Sequence, residues 1–139
     1  MSALFQATGV AIGGRALLIT GEPGSGKSSL ALALMDRGAI LIGDDGVLLE
    51  RNGGVLLASP PPHTAGLIEV RNVGLLTRPA LAAVRVALVV HLDREAPRFV
   101  EEPQSVVIEG LNLPKINLWP DTPVLHLRAE LALERYGLA

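Results

Sequence analysis

The chain has 139 residues, 49% of them hydrophobic and 19% charged, which predicts one globular domain over residues 1–139 rather than a disordered chain. Its net charge of −2 argues against a nucleic-acid-binding protein, and the lack of cysteine excludes disulfides and thiolate metal sites. Because the first 14 residues have no signal-peptide pattern and no apolar stretch is long enough to span a bilayer, we expect a cytoplasmic protein with neither a nucleic-acid nor a membrane partner.

In the first half of the chain, short apolar runs bounded by glycine and proline predict strands around one helix. The strands expected here lie at 4–12, 16–20, 39–42, 47–50 and 55–58. The last two flank the sequence RNGG, which predicts a hairpin turn. An apolar helix is expected at 28–35, with Gly38 as its left-handed cap.

The second half predicts further strands and one closing helix. The strands expected here lie at 67–70, 84–92, 106–109 and 115–118, with 84–92 the best central strand. The helix is expected to start after Asp121, with Pro123 at its first helical position. Many strands and few helices predict a strand-rich α/β domain, not the alternating strand–helix series of a large doubly wound NTPase.

The sequence GEPGSGKS at 21–28 matches the phosphate-loop pattern G-x-x-x-x-G-K-[ST]. In this pattern the glycines let backbone N–H groups surround phosphates, Lys27 reaches the β/γ oxygens and the Ser28 hydroxyl joins the Mg²⁺ shell. A Gly-rich turn without a ligand is the alternative, but the strand before the loop and the helix after it agree with the full pattern. We therefore expect ATP or GTP to bind here. The expected binding residues are Gly21, Glu22, Pro23, Gly24, Ser25, Gly26, Lys27, Ser28 and Ser29.

Two acidic stretches accompany the loop. Asp44 and Asp45 follow a buried strand, a usual place for a carboxylate that supports Mg²⁺, although Asp-Asp-Gly could also form only a polar turn. Adjacent side chains on extended backbone point to opposite faces, so we expect one aspartate nearer the metal and the other nearer the substrate. Glu69 and Arg71 alternate with apolar residues and are expected to share one strand face, with a solvated face as the alternative.

These stretches together resemble a known family. GEPGSGKS, the Arg37-Gly38 pair, the double aspartate and EVRNVGLL at 69–76 are similar to the catalytic domain of HPr kinase/phosphorylase, from about residue 4 to residue 118. That family phosphorylates a serine of HPr, a small carrier of the bacterial sugar phosphotransferase system, and many members reverse the reaction with inorganic phosphate. The short chain resembles the compact α-proteobacterial form, which lacks an N-terminal domain.

The resemblance implies a fold, cofactors and a partner. The fold would be a strand-rich P-loop domain of the HPr kinase and phosphoenolpyruvate carboxykinase type. The cofactors would be ATP and Mg²⁺, and the partner HPr or a nitrogen-branch HPr-like carrier, with a homo-oligomer left open.

The resemblance also implies a role for individual residues. The catalytic set would be Lys27, Asp45, Arg71 and Arg98. The metal ligands would be Ser28, Asp44 and Glu69. Asp45 matches the aspartate that takes the proton from the substrate serine, and Arg98 falls about where the family has a catalytic arginine.

The chain departs from the family pattern at three places. Gln6 stands where a histidine is common, and Asn72 stands where glycine is usual. The sequence WPDTPV at 119–124 replaces a basic loop that matters for dephosphorylation, and Asp121 there would repel inorganic phosphate. We therefore expect a kinase whose phosphorylase activity is doubtful.

Two other functions remain open at this point. One is a nucleotide-sensing regulator that binds the carrier but turns over poorly, which Gln6 and the short C-terminal part favour. The other is a small-molecule kinase on the phosphoenolpyruvate carboxykinase-like scaffold, against which the Glu-x-Arg-x-x-Gly segment argues.

Overall fold

The computed structural model describes residues 2–139, in which eleven strands and two helices form a strand-rich α/β fold, as expected. The first six strands are β1 Ser2–Phe5, β2 Thr8–Ile12, β3 Arg15–Thr20, β4 Ile40–Gly43, β5 Val47–Asn52 and β6 Val55–Ser59. The other strands are β7 Leu67–Val70, β8 Gly74–Thr77, β9 Val84–Leu92, β10 Gln104–Ile108 and β11 Leu111–Leu118. The helices are α1 Lys27–Asp36 and α2 Leu125–Tyr136. Within residues 2–139, neither helix is long and apolar enough to cross a lipid bilayer.

The strand β9 is the centre of a mixed sheet, as its apolar sequence predicted. It runs parallel to β3 on one side. On its other side it pairs antiparallel with β6 through its first residues and parallel with β11 through its last four. The main path of the sheet is β1-β5-β6-β9-β3-β2-β4, and β7 and β8 form a separate hairpin. Because β6 and β11 pair with different parts of the same side of β9, the sheet branches there and curls.

Both faces of the sheet are buried, because successive side chains of its central strands alternate between two cores. In β3, Leu17 and Ile19 pack toward the face that α1 and α2 cover, together with Leu34 and Leu133. The intervening residue Leu18 packs into the second core, inside the curl of the sheet. Burial on both faces explains why the central strands read as continuous apolar runs.

The parallel arrangement of β3, β9 and β11 places three loops at one edge of the sheet. Thr20, His91 and Asn117 lie side by side at the carboxyl ends of these strands. The phosphate loop follows β3, the segment 93–103 follows β9 and the segment 119–124 follows β11. Binding sites of parallel α/β sheets form at this edge, so the topology brings these three loops to one region.

One element prediction at the amino end was only partly correct. The strand expected at 4–12 is two strands separated at residues 6 and 7, because β1 pairs with β5 whereas β2 pairs with β3 and β4. The chain must therefore leave one part of the sheet and enter another. The hairpin around RNGG, by contrast, forms as β5 and β6, in register.

The closing helix begins later than its sequence suggested. Its first helical residue is Leu125, preceded by the cap residue Val124, so Pro123 is not the first helical position. The Thr122 hydroxyl accepts the Val124 N–H at 3.4 Å, and the Val124 carbonyl accepts the Arg128 N–H at 3.1 Å. The proline therefore belongs to a turn that leads into the helix.

Candidate functional site

The phosphate loop joins β3 to α1 in the left-handed backbone that its glycines permit. Gly24 and Gly26 have φ angles of 79° and 103°, which glycine adopts without steric cost. Gly26 is the N-cap of α1 and has no side chain to occupy the first N–H groups of the helix. These groups and the positive end of the helix dipole therefore face outward, as an anion site requires.

The beginning of the loop packs tightly on the end of β9. A methyl group at Gly21 would lie 2.6 Å from the Ser25 hydroxyl oxygen and 3.3 Å from the Leu92 Cβ. Only glycine fits at this position. The Ser25 hydroxyl beneath it is buried and forms no hydrogen bond within residues 2–139. A buried polar atom without a partner is unusual, and it makes the loop a natural place for a polar ligand or water.

Lys27 is held at the loop that it would serve. Its ammonium group donates to the carbonyl oxygens of Gly21 at 2.9 Å and of Glu22 at 3.0 Å. An ammonium group has three donors, so one remains for a phosphate oxygen without any loss of these contacts.

The carboxylate of Asp44, which follows β4, contacts both the start of α1 and strand β7. Its Oδ1 atom accepts the Ser28 hydroxyl at 2.6 Å, at the start of α1. Its Oδ2 atom accepts the backbone N–H of Glu69 in β7 at 3.0 Å. The three expected metal ligands therefore meet around one carboxylate, although Glu69 contributes its backbone and its exposed side chain forms no hydrogen bond within the described chain.

These residues fit a magnesium ion that also binds nucleotide phosphates. Within residues 2–139, no three acidic, histidine or cysteine side chains form a metal cage by themselves. Mg²⁺ is usually held by only one or two protein oxygens, with phosphate oxygens and waters completing its octahedron. The hydroxyl of Ser28 and the carboxylate of Asp44 are hard oxygen donors beside the phosphate loop, which is the donor set such a site needs.

Asp45 lies in a tight turn, not on extended backbone as the sequence suggested. Its φ angle is 62°, in the left-handed region that aspartate tolerates better than most residues. A side chain at Gly43 would overlap the Gly46 carbonyl oxygen, so the turn requires glycine there. The opposite-face argument was therefore wrong, but the surroundings of the two aspartates do differ. Asp44 is half-buried against Ser28, whereas the carboxylate of Asp45 is exposed.

The arginines expected in the site lie on two exposed segments. Strand β7 ends at Val70 and Arg71 belongs to the following turn, so Glu69 and Arg71 do not share a strand face as predicted. Residues 69–75 line a hollow of about 490 Å³ next to this turn. Arg98 lies in the segment after β9, with its guanidinium carbon 5.3 Å from the centre of the Phe99 ring. Among the described contacts, neither arginine hydrogen-bonds to Ser28 or Asp44.

The sequence reasoning missed a threonine that supports the double aspartate. The Thr8 hydroxyl in β2 accepts the backbone N–H of Asp45 at 3.3 Å and donates to Asp44 Oδ1 at 3.5 Å. Thr8 is almost completely buried, with 1% of its surface exposed. The available signal was a single hydroxyl in the otherwise apolar sequence ATGVAI at 7–12.

Two further contacts lie at the strand edge beside the loop. His91, near the end of β9, forms a hydrogen bond with the Thr20 hydroxyl, which lies 2.8 Å from its Nδ1. Asp121 is not the free negative charge that we expected, since Arg94 binds both of its carboxylate oxygens, at 2.7 and 3.2 Å. The hydrogen bond and the charge of Asp121 raise the pKa of the Arg94 guanidinium above its ordinary value, and the charge of Glu22 adds to this rise.

Comparison with known proteins identifies similar sequences over most of the chain. The profile of the HPr serine kinase C-terminal domain matches residues 2–118. The chain is 39% identical to an HPr kinase/phosphorylase from Clostridium novyi, over 90% of its own length and 46% of that protein. It is 33% identical to one from Clostridium acetobutylicum, over 94% of its own length and 48% of that protein. The chain thus spans about half the length of these relatives.

A solved structure has the same fold. The HPr(Ser) kinase/phosphatase from Coxiella burnetii superposes with a TM-score of 0.83 at 27% identity, covering 95% of this chain and 89% of the solved one. The strand-rich α/β fold with its curled mixed sheet is therefore shared with a kinase/phosphatase of known structure.

Proposed function

This chain belongs to the HPr serine kinase C-terminal domain family, and on that premise we propose that it transfers the γ-phosphoryl group of ATP to a serine of HPr or of a nitrogen-branch HPr-like carrier. The observation that carries the proposal is the contact between Ser28 of the phosphate loop and Asp44 of the double aspartate. It joins a nucleotide-binding element to an acidic turn, which are the two parts that phosphoryl transfer requires. We further propose that residues 1–139 act as one catalytic domain.

In this proposal the phosphate loop binds and orients the nucleotide. The N-terminal N–H groups of α1 and the free donor of Lys27 would hold the β- and γ-phosphates. Ser28 and Asp44, with the nearby carboxylate of Glu69, would hold Mg²⁺. When bound, the metal ion neutralises charge on the transferring phosphate.

Asp45 has the surroundings that a proton acceptor needs. Its carboxylate is exposed and has no hydrogen-bond partner among the described residues, so a substrate hydroxyl can approach it. The turn at 43–46 and the Thr8 hydroxyl fix its backbone. The serine oxygen would lose its proton to Asp45 as it forms the new O–P bond, while the bond from the γ-phosphorus to the bridging oxygen breaks and ADP leaves.

Arg71 and Arg98 are proposed to supply positive charge at the transferring group and at the carrier. Both side chains are exposed on turns or loops and would have to move toward the phosphates on binding. Electrostatic stabilisation of this kind is usually the largest contribution to phosphoryl transfer.

The test separates nucleotide binding from chemistry in a phosphorylation assay with purified HPr, ATP and Mg²⁺. Lys27→Ala should weaken ATP binding and turnover together, because a charge-assisted contact is lost. Asp45→Asn should bind ATP normally and phosphorylate about 10²- to 10⁴-fold more slowly, the usual loss for a general base. Asp36→Asn, an exposed aspartate at the end of α1, is the matched control and should behave as the unmodified chain.

Two results would contradict the proposal. Unchanged turnover in Asp45→Asn would remove the role assigned to that carboxylate. ATP binding by the unmodified chain without transfer to HPr or to the nitrogen-branch carrier would favour the nucleotide-sensing alternative.

A further inference from the structure

An arginine–aspartate pair joins the two loops that lie beside the phosphate loop. Arg94 follows β9 and Asp121 follows β11, and their side chains form a two-point contact with distances of 2.7 and 3.2 Å. The backbones of these loops also meet, because the N–H of Asp93 donates to the carbonyl of Leu118 at 2.9 Å. The pair therefore lies at the sheet edge from which the phosphate loop emerges.

Arg94 is close to the phosphate loop itself. Gly21 is packed against Leu92, since a methyl group at Gly21 would lie 3.4 Å from the Leu92 carbonyl oxygen, and Arg94 is only two residues further along the chain. The charge of Glu22, the second residue of the loop, also acts on the Arg94 guanidinium. Asp121, by direct contact, and Glu22, by its charge alone, are thus the negative groups that act on Arg94.

The exposure and the hydrogen-bonding geometry of the pair would allow another anion to replace Asp121 at Arg94. Its side chains are exposed, 62% for Arg94 and 48% for Asp121, and exposed ion pairs contribute little to stability. Asp121 uses the Nε and Nη2 atoms of Arg94, while Nη1 makes no hydrogen bond within residues 2–139. A phosphate group carries more charge than a carboxylate and suits the same planar fork of donors.

We propose that Arg94 is a phosphate-binding residue of the nucleotide site and that Asp121 restrains its charge. This inference rests on the proposed function, because it assumes that the phosphate loop binds phosphate groups. In the free protein Asp121 neutralises Arg94 and holds it at the loop edge. When a phosphate-bearing ligand binds at the loop, Arg94 exchanges part or all of its contact with Asp121 for a phosphate oxygen.

The test measures binding by calorimetry, without turnover, with inorganic pyrophosphate and a non-hydrolysable ATP analogue as probes. Arg94→Gln should weaken the binding of both probes about 3- to 10-fold. The effect is modest because solvent screens a charge-assisted contact at an exposed arginine. Asp121→Asn should tighten both by about 2- to 5-fold, because the arginine is released. In the double variant the tightening should disappear, since the two residues act as one unit.

A second arginine–carboxylate pair provides the control. Arg37 binds Glu130 at 2.8 Å, with side chains that are 47% and 25% exposed, at the end of α1 far from the phosphate loop. Arg37→Gln and Glu130→Gln change the net charge by the same amounts and should leave both affinities unchanged.

The outcomes distinguish this inference from the function on which it rests. Unchanged affinity in Arg94→Gln, while Lys27→Ala abolishes binding, would overturn the inference and leave the proposed function intact. Tightening by Asp121→Asn that persists without Arg94 would also overturn it, because the aspartate would then act only by repulsion. If Arg94→Gln and Asp121→Asn both weakened probe binding, the pair would only hold the two loops together, and the inference would be wrong. If the unmodified chain binds neither probe, the proposed function and the inference both fail.

Discussion

Asp44 and Asp45 are consecutive residues, but their side chains lie in two different chemical environments. Asp44 follows the last residue of β4 and reaches Ser28 and the backbone of β7. The left-handed backbone of Asp45 takes its side chain out of this network and leaves it exposed. A carboxylate that accepts hydrogen bonds from Ser28, Glu69 and Thr8 suits a metal-supporting role, and an exposed one suits contact with a substrate.

The metal site gives a prediction at the residue scale. Ser28→Ala removes a proposed ligand, and Glu69→Gln removes the charge of another. Each should raise the Mg²⁺ concentration for half-maximal activity about tenfold or more, the usual effect of removing a contact at a metal site. Titration of carrier phosphorylation against Mg²⁺ measures this, with Ser105→Ala on the exposed side of β10 as a control. An unchanged Mg²⁺ requirement in both variants would show that these are not the ligands.

Some of the site could be predicted at this scale and some could not. The roles of Lys27 and Ser28 toward a nucleotide were predicted from a local pattern of eight residues and stay predictions. In the structure Lys27 contacts the Gly21 carbonyl and Ser28 contacts Asp44. Asn72 was noted only as a departure from glycine, but its φ angle of 69° explains the exchange, since asparagine tolerates the left-handed region. The Arg94–Asp121 pair was missed because its members are 27 positions apart and meet only through the pairing of β9 with β11.

At the scale of elements, the turn between β4 and β5 depends on a neighbouring strand. The hydroxyl of Thr8 in β2 contacts the backbone of Asp45 and the carboxylate of Asp44. This contact was not predictable from periodicity, which treated residues 4–12 as one strand. The apolar run at 86–90 in β9 and the RNGG turn, in contrast, are local signals, and the elements that they predicted are present.

Thr8→Val should therefore affect activity more than packing. Valine keeps the shape of threonine but leaves the Asp45 N–H without its hydroxyl acceptor, at a cost of about 1 kcal/mol in unfolding free energy. The turn should also become less well fixed, so we expect turnover with HPr to fall about 10-fold, because small errors in position are costly in catalysis. Urea unfolding and the phosphorylation assay measure the two effects.

The matched variant is Thr8→Ser, which keeps the hydroxyl and loses the buried methyl group. It should lose stability through the cavity but keep most of its turnover. The opposite pattern, with full activity in Thr8→Val and low activity in Thr8→Ser, would mean that packing of β2, and not the hydroxyl, positions the aspartates.

For the whole molecule, the parallel strands β3, β9 and β11 determine which loops can act together. Their ends present the phosphate loop, the segment carrying Arg94 and Arg98, and the segment carrying Asp121 along one edge. The strand-rich class was predictable from the number of short apolar runs. The branching of the sheet at β9 was not, because two neighbours on one side of a strand leave no periodic trace in its sequence.

This arrangement bears on the direction of the proposed reaction. Reversal requires inorganic phosphate to attack the phosphoserine, so a second anion must be held beside the first. Asp121, in the segment after β11, already neutralises the guanidinium of Arg94, which follows β9. We therefore predict that the chain phosphorylates its carrier and removes the phosphate slowly or not at all, even at millimolar inorganic phosphate.

The measurement is pyrophosphate release from purified phosphoserine carrier incubated with the chain, Mg²⁺ and phosphate. Asp121→Asn should increase the release by about 3-fold or more, because it frees one guanidinium for the attacking anion. It should change the forward rate less, since the forward reaction does not need a second phosphate. Reverse turnover by the unmodified chain at a rate comparable to the forward one would refute the prediction. In that case the positive charge for the second anion must come from an arginine that no aspartate neutralises, and Arg98 after β9 would be the first candidate to replace by glutamine.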